Sequence, residues 1–229
     1  KVENKGLDFS IDYVKRFNND FDMSFKGTFT YAHNKVLEYD EPDFQKYPNI
    51  SRVGHSVDQQ LLYIAERLFI DDSEVQRNPK QNLGGWVSGG DIKYKNLPDV
   101  NGNYDNVIDS NDRQYTGMPT TPEIVYGFGP SFRYKKFDFS FFFQGAARVS
   151  IMMNGIHPFG AEGIRNVLQF IADDYWSETN QNIYAEYPRL STVAYANNAQ
   201  VSDFWKRNGA YVRLKNVTLG YTLPQSWVK

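Results

Sequence analysis

The feature that most constrains this chain is a strict alternation of apolar and polar side chains in several long stretches. Leu7, Phe9, Ile11 and Tyr13 interleave with Asp8, Ser10 and Asp12. Phe21, Met23, Phe25, Phe29 and Tyr31 interleave with Asp22, Ser24, Lys26, Thr28 and Thr30. A period of two sustained over such lengths means β-strand, with one apolar and one polar face. The turn-like "RFNNDFD" joins the first two stretches into a hairpin. A second hairpin follows the same rule. "PEIVYGFGPSFRYK" sets Ile124, Tyr126, Phe128, Phe132 and Tyr134 on one face. After a tight "KK" turn, "FDFSFFFQG" does the same with Phe137, Phe139, Phe141 and Phe143, while Phe142 breaks the pattern. In the last alternating segment, Val217, Leu219 and Tyr221 share one parity, but Val212 and Leu214 share the other. That slip predicts either a bulge or an end lifted clear of an apolar surround.

Membrane-length strands are therefore predicted at 7–16, 21–36, 122–134, 137–150 and 209–223. Their connections alternate between short turns and the long segments 37–121 and 151–208. The chain carries 17 Phe, 16 Tyr and 4 Trp in 229 residues that are otherwise hydrophilic. A soluble domain would hide its Phe side chains in a core. A transmembrane barrel turns them to lipid at every second position, with short turns on one side and long loops on the other. No run approaches the ~18 apolar residues of a spanning helix, and "KVENKGLDFS" lacks the pattern of a signal peptide. Tyr13, Tyr31, Tyr134 and Tyr221 fall near strand ends, where aromatic girdles form. A soluble or secreted β-sandwich that binds carbohydrate also alternates and is the competing reading. Five strands fall short of the even number, eight or more, of a single-chain bacterial barrel. Strands 7–16 and 209–223 are thus expected to pair with segments outside this sequence.

A net charge of −2 gives no reason to expect nucleic acid as a partner. The absence of cysteine excludes disulfides, thiolate metal sites and Cys nucleophiles. His33, His55 and His157 share no ligand spacing, and no hydrolase or phosphate-loop motif is present. "GGWVSGGD" does not open a helix after a strand and reads as loop. No enzymatic activity is expected. One amphipathic helix is predicted in "GIRNVLQFIADDYW", with Ile164, Val167, Leu168, Ile171 and Tyr175 on its stripe. The loop aromatics Trp86, Tyr175, Trp176, Tyr184, Tyr187, Tyr195 and Trp205 are candidates for a ligand path, a partner interface or simple packing.

Between 99 and 112, Asx side chains crowd together. Counting EF-hand-type positions, Asp99 and Asn101 fill 1 and 3, while Asp105, Asp109 and Asp112 fill 5, 9 and 12. Two extra residues interrupt the register, and Asn106 replaces the glycine at position 6 but tolerates a left-handed backbone. Hard oxygen donors favour Ca²⁺, which would be structural, stiffening a loop with almost no apolar core of its own. The alternative is an Asx-rich turn satisfied by its own backbone.

Four stretches, "GDIKYKNLPDVNGNYDNVIDSNDR", "TPEIVYGFGPSFRYKKFDFSFFFQG", "YPRLS" and "DFWKRNGAYVRLKNVTLGYTLP", resemble the C-terminal part of the SusC/RagA family. These are TonB-linked outer-membrane proteins of Bacteroidetes. The resemblance spans 1–229 and implies a segment of a large antiparallel barrel of 22 strands with a plugged lumen, incomplete here at both ends. It further implies localisation in the bacterial outer membrane and uptake of oligosaccharides or peptides. A SusD-like surface lipoprotein would be the partner outside, and TonB would act through a plug absent from this chain. Residues 37–121 and 151–208 would be extracellular loops.

Overall fold

The computed structural model describes residues 1–153, 166–192, 195–224 and 226. In chain order its strands are β1 (Val2–Arg16), β2 (Phe21–Val36), β3 (Leu61–Tyr63), β4 (Ala65–Leu68), β5 (Lys80–Gln81), β6 (Ile92–Tyr94), β7 (Val107–Ile108) and β8 (Arg113–Tyr115). They continue with β9 (Ile124–Tyr134), β10 (Phe137–Ala147), β11 (Ser150–Met152), β12 (Lys206–Asn208) and β13 (Tyr211–Tyr221). Two short helices are α1 (Asp72–Arg77) and α2 (Gln169–Asp173).

The five long strands form one antiparallel sheet in the order β1-β2-β9-β10-β13, open at β1 and β13. These are the five strands expected from the alternation, and their register explains the pattern. Phe9 lies opposite Phe29, and Phe29 opposite Tyr126. Further along, Phe132 lies opposite Phe139, and Phe139 opposite Leu219. Because side chains alternate across a pleated strand, one register aligns every apolar set on a single face. The opposite face carries Asp8, Ser10, Asp12, Ser24, Lys26, Thr28, Ser131 and Ser140. Lys135 takes a left-handed φ of 53° in the two-residue turn between β9 and β10, as such hairpins require.

Both irregularities in the pattern have a physical reason. Asn216 opposes Phe142 but Leu214 opposes Phe143, so Lys215 is an extra, bulged residue. The bulge absorbs the parity slip, and Val212 and Leu214 rejoin the apolar face. Phe142 sits on the polar face, where a Cβ on Gly127 would lie 2.7 Å from its ring. The ring thus covers a glycine of β9 rather than facing an apolar surround. A similar contact occurs on the apolar face. A Cβ on Gly145 would lie 2.3 Å from the Tyr126 ring, which crosses that bare position and donates its hydroxyl to the Tyr211 carbonyl at 3.3 Å.

The long connections are not loops without a core. Tyr63, Leu68, Ile92, Tyr94, Ile108, Ile171, Trp176, Ala185, Tyr187 and Trp205 bury one another in a single cluster drawn from both connections. Small two-stranded ladders frame it: β3 with β8, β4 with β6, β11 with β12, and β5 parallel to β7. Backbone bonds knit the two connections, from Tyr63 N–H to Val201 at 3.1 Å, Leu68 N–H to Ile183 at 2.9 Å and Arg189 N–H to Gly90 at 2.9 Å. We call this unit the cap.

The predicted amphipathic helix is much shorter in the structure. It covers Gln169–Asp173, with Leu168 extended at φ −72°, ψ 151° just before it. Ile164 lies outside the described residues. Asp173 and Asp174 close the helix with charge of the sign that opposes its dipole, and only Ile171 of the stripe is buried within it. The other short helix is held more firmly. The Asp71 side chain caps α1 by accepting the Glu74 N–H at 2.7 Å. Burial raises the Glu74 carboxyl, but hydrogen bonds from Arg67, the Ile70 N–H and Lys93 outweigh it and pull the group down to about 2.

Candidate functional site

The cap is held together where two of the sequence motifs meet. Gly89, Gly90 and Asp91 end "GGWVSGGD", and Arg189 is the centre of "YPRLS". Gly90 has φ +80°, and a Cβ there would stand 2.2 Å from the Trp176 ring, so only glycine passes the chain under that indole. This places Asp91 wholly out of solvent. Its carboxylate receives Arg189 Nε at 2.7 Å and Nη2 at 3.1 Å, Asn198 Nδ2 at 2.7 Å and the Ser88 N–H at 2.9 Å. A buried carboxylate is tolerated only when paired and saturated in this way. Burial lowers the Arg189 guanidinium, and the bonds to Asp91 more than offset it, raising it overall. The other side of Arg189 stacks on Tyr195, 4.2 Å from the ring centroid.

Beside this pair runs a buried amide network. Gln81 Nε2 donates to Asn197 Oδ1 at 2.6 Å, and Gln81 Oε1 accepts the Tyr94 N–H at 2.6 Å. Asn197 Nδ2 donates to the Ile92 carbonyl at 2.9 Å, while Asn198 Oδ1 accepts the Ile92 N–H at 2.9 Å. Trp205 Nε1 donates to the Asn198 carbonyl at 2.9 Å. The strand β6 is thereby read by side chains more than a hundred residues away, and burial pushes the Tyr94 hydroxyl up.

A third junction links the ends of β2, β9 and β10. Glu123, just before β9, is buried and accepts Arg148 Nε at 2.6 Å and pairs with His33 Nδ1 at 2.5 Å. Burial raises its carboxyl, but the bonds from His33 and Arg148 prevail and lower it overall. Nearby, Asn34 Oδ1 accepts the Ser56 hydroxyl at 2.9 Å and the Val57 N–H at 2.7 Å.

Of the residues expected to hold Ca²⁺, the four aspartates accept backbone N–H groups. Asp99 Oδ1 accepts the N–H groups of Asn101 and Asn103, both at 2.9 Å. Asp105 Oδ1 accepts Val107 N–H at 3.0 Å, and Asp109 Oδ1 accepts Asn111 N–H at 2.8 Å. Asp112, buried, accepts Leu97 N–H at 2.6 Å and Asp109 N–H at 2.7 Å. Asn106 takes the left-handed φ of 59°. Among the described residues no three acidic or histidine side chains converge as a cation shell. Asp99, Asp105, Asp109 and Asp112 thus each satisfy N–H groups in a run of Asx turns and one capped turn. Burial raises the Asp112 carboxyl against the pull of its two N–H donors. In the intact protein, a chelator is expected to leave protease cleavage within 93–117 unchanged. Asp112→Ala, which strands two N–H groups, is expected to loosen the segment by about 1.5–3 kcal/mol. Cleavage that rises on chelation in the unaltered protein would restore the cation reading.

The loop aromatics divide. Trp176, Tyr187 and Trp205 are core, whereas Trp86 and Tyr184 are exposed, at 66% and 76%. Asp91, Arg189, Gln81, Asn197, Asn198 and Glu123 were not recognisable as site residues from the sequence. Asp91, Arg189 and Glu123 lie in motifs of the sequence, but nothing in their spacing pairs them.

No protein-family model matches the chain. It is 28% identical over 234 residues to TonB-dependent receptor P3 of Formosa agariphila, covering all of this chain and 22% of that protein. It is 25% identical over 234 residues to TonB-dependent receptor SusC of Bacteroides thetaiotaomicron, covering 99% of this chain and 21% of that protein. Among solved structures, the RagAB peptide importer in its closed-closed state superposes with a TM-score of 0.65 at 18% identity. That match covers all of this chain and 24% of the neighbour's. The open-open state gives 0.64 at 19% identity. The chain spans about a fifth of the length of the curated relatives it matches. Along its whole length this chain is similar in sequence to TonB-dependent receptors, SusC among them, and its five-stranded sheet has the fold of a stretch of the RagAB importer.

Proposed function

We propose that this chain is part of an outer-membrane importer that takes up oligosaccharides or peptides together with a SusD-like lipoprotein, driven by TonB through a plug outside this sequence. The observation that carries the reading is the sheet: five long strands with one apolar and one polar face, matched end to end by receptors of that kind. An apolar face serves lipid and the opposite face a plugged or watery lumen. On this reading 37–121 and 151–208 stand outside the cell as the cap, and the turns at 16–20 and 135–136 face the periplasm. The cap's bonding is structural, and no residue of it is assigned a chemical step.

The test uses the intact receptor in its own cells. Protease added to whole cells is expected to cut within the cap and to spare the two short turns. Replacing the cap segment 61–115 by a short linker is expected to abolish uptake of the receptor's nutrient while the protein still assembles in the outer membrane. Cleavage confined to 16–20 and 135–136 would reverse the orientation, and recovery of the protein without detergent would favour the soluble β-sandwich.

A further inference from the structure

The "GGWVSGGD" motif does more than place Asp91. Gly84 and Gly85 take φ of +86° and +80°, two left-handed positions in succession that turn the chain sharply. After the turn Trp86 stands 66% exposed, while Trp176 and Trp205 are buried in the same cap. The loop that carries Trp86 is fixed on both sides. Before it, the Asn82 N–H donates to the Ile108 carbonyl at 2.8 Å, and Gln200 Nε2 donates to the Leu83 carbonyl at 3.1 Å. After it, the Ser88 N–H donates to Asp91 at 2.9 Å and the Ser88 hydroxyl to Asp72 at 2.5 Å. The Arg189 guanidinium, itself anchored by Asp91, lies 5.8 Å from the indole centroid. An indole held in water by a firm loop is already ordered for a ligand, which removes a cost that binding otherwise carries.

A cavity beside the loop is the second observation. About 340 Å³ opens between the end of α1, the start of β5 and this loop, with Val75, Gln76, Pro79, Lys80, Trp86 and Val87 in its wall. That is the small end of ligand sites, room for one residue of a longer chain. Val75, Pro79 and Val87 give the wall an apolar side. Lys80 is the only charged residue among those that form it, so the cavity favours an anion. Neither the Lys80 ammonium nor the Gln76 amide has a partner among the described residues.

A pyranose matches this combination. Its C–H face suits the negative face of an indole, and its edge hydroxyls suit an amide. A leucine or phenylalanine side chain would use the apolar wall but leave Gln76 and Lys80 with nothing to bind. We propose that this cavity takes one anionic pyranose residue of an acidic glycan, with the ring on Trp86, hydroxyls on the Gln76 amide and the carboxylate or sulfate on Lys80. The proposal rests on the importer reading in narrowing its substrates to acidic glycans, but the binding itself is measured without transport.

The experiment titrates the intact protein, purified in detergent, by ligand-observed NMR with four probes. Methyl glucuronoside and methyl glucoside sulfated at its primary hydroxyl are the anionic sugars, methyl glucoside is their neutral match, and Nα-acetyl-leucine is an apolar anion that is not a sugar. The better anionic sugar is expected to bind about fivefold more tightly than methyl glucoside, the worth of one exposed ion pair, and to weaken as salt rises. Which of the two it is separates carboxylate from sulfate. Trp86→Ala is expected to remove about tenfold of the affinity for every sugar, and Trp86→Phe to restore part of it. Lys80→Gln is expected to bring the anionic sugars down to the neutral one and to leave methyl glucoside unchanged. Tyr184→Ala, which removes an exposed aromatic outside the cavity wall, is expected to change nothing. No saturable binding of any sugar, full affinity in Trp86→Ala, an anionic advantage that survives Lys80→Gln, or tighter binding of Nα-acetyl-leucine than of the sugars would each overturn the proposal. Nutrient uptake that persists in cells lacking the protein, with sugar binding intact in the purified protein, would count against the importer reading alone.

Discussion

Asp91→Ala is expected to unfasten the cap while leaving the sheet in place. The substitution removes a fully buried carboxylate and leaves Arg189, Asn198 Nδ2 and the Ser88 N–H facing a void. Breaking one side of a buried ion pair costs about 3–5 kcal/mol, mostly because the remaining charge stays buried without a partner. That is a large share of what a domain has to lose. Limited proteolysis of the intact receptor is expected to cut the cap rapidly, while the heat-modifiable gel mobility of the barrel persists. The double substitution Asp91→Met with Arg189→Met removes both charges and is expected to recover part of the loss. A cap that stays as resistant in Asp91→Ala as in the unaltered protein would show that this pair does not hold it.

The second large effect lies in the sheet and depends on which face is touched. Val217 and Thr218 are neighbours in β13, but Val217 opposes Phe141 on the apolar face and Thr218 opposes Ser140 on the polar one. Val217→Arg places a charge at the middle of the apolar band. The expected cost is about 2–4 kcal/mol for a lipid-facing position near the bilayer midplane. Thr218→Arg turns the same side chain to the polar face and is expected to cost within about 0.5 kcal/mol, as surface substitutions usually do. Denaturant titration of the receptor folded into lipid vesicles reads the difference. Equal costs at the two positions would mean that the apolar face is not in contact with lipid.

These contrasts show why the sheet was legible in the sequence and the cap was not. A long strand repeats its period often enough for Phe21, Met23 and Phe25 to declare a face by themselves. Even the bulge at Lys215 announced itself, as a change of parity between Leu214 and Val217. The cap offers no such repetition. Its strands run from two to four residues, too short to show a period, and their partners lie far along the chain. The pairing of Asp91 with Arg189, or of Gln81 with Asn197, is a property of folded space. The acidic run at 99–112 is ambiguous in the sequence for a different reason. Carboxylates that satisfy local N–H groups have the same composition as carboxylates that hold a cation, and only the directions of their bonds separate the two.

The interleaving of the two connections also fixes an order of events. The strand β6 is complete by residue 94, yet its Ile92 N–H and carbonyl wait for Asn198 and Asn197. Between them the ribosome must still deliver β9 and β10. Closing so distant a contact costs chain entropy before any packing is gained. The cap's core is therefore expected to be among the last parts to consolidate, after the hairpin beneath it has brought the two halves within reach. Until then Leu68, Ile92 and Tyr94 have no cover. Apolar surface left uncovered during that interval is the kind that aggregates.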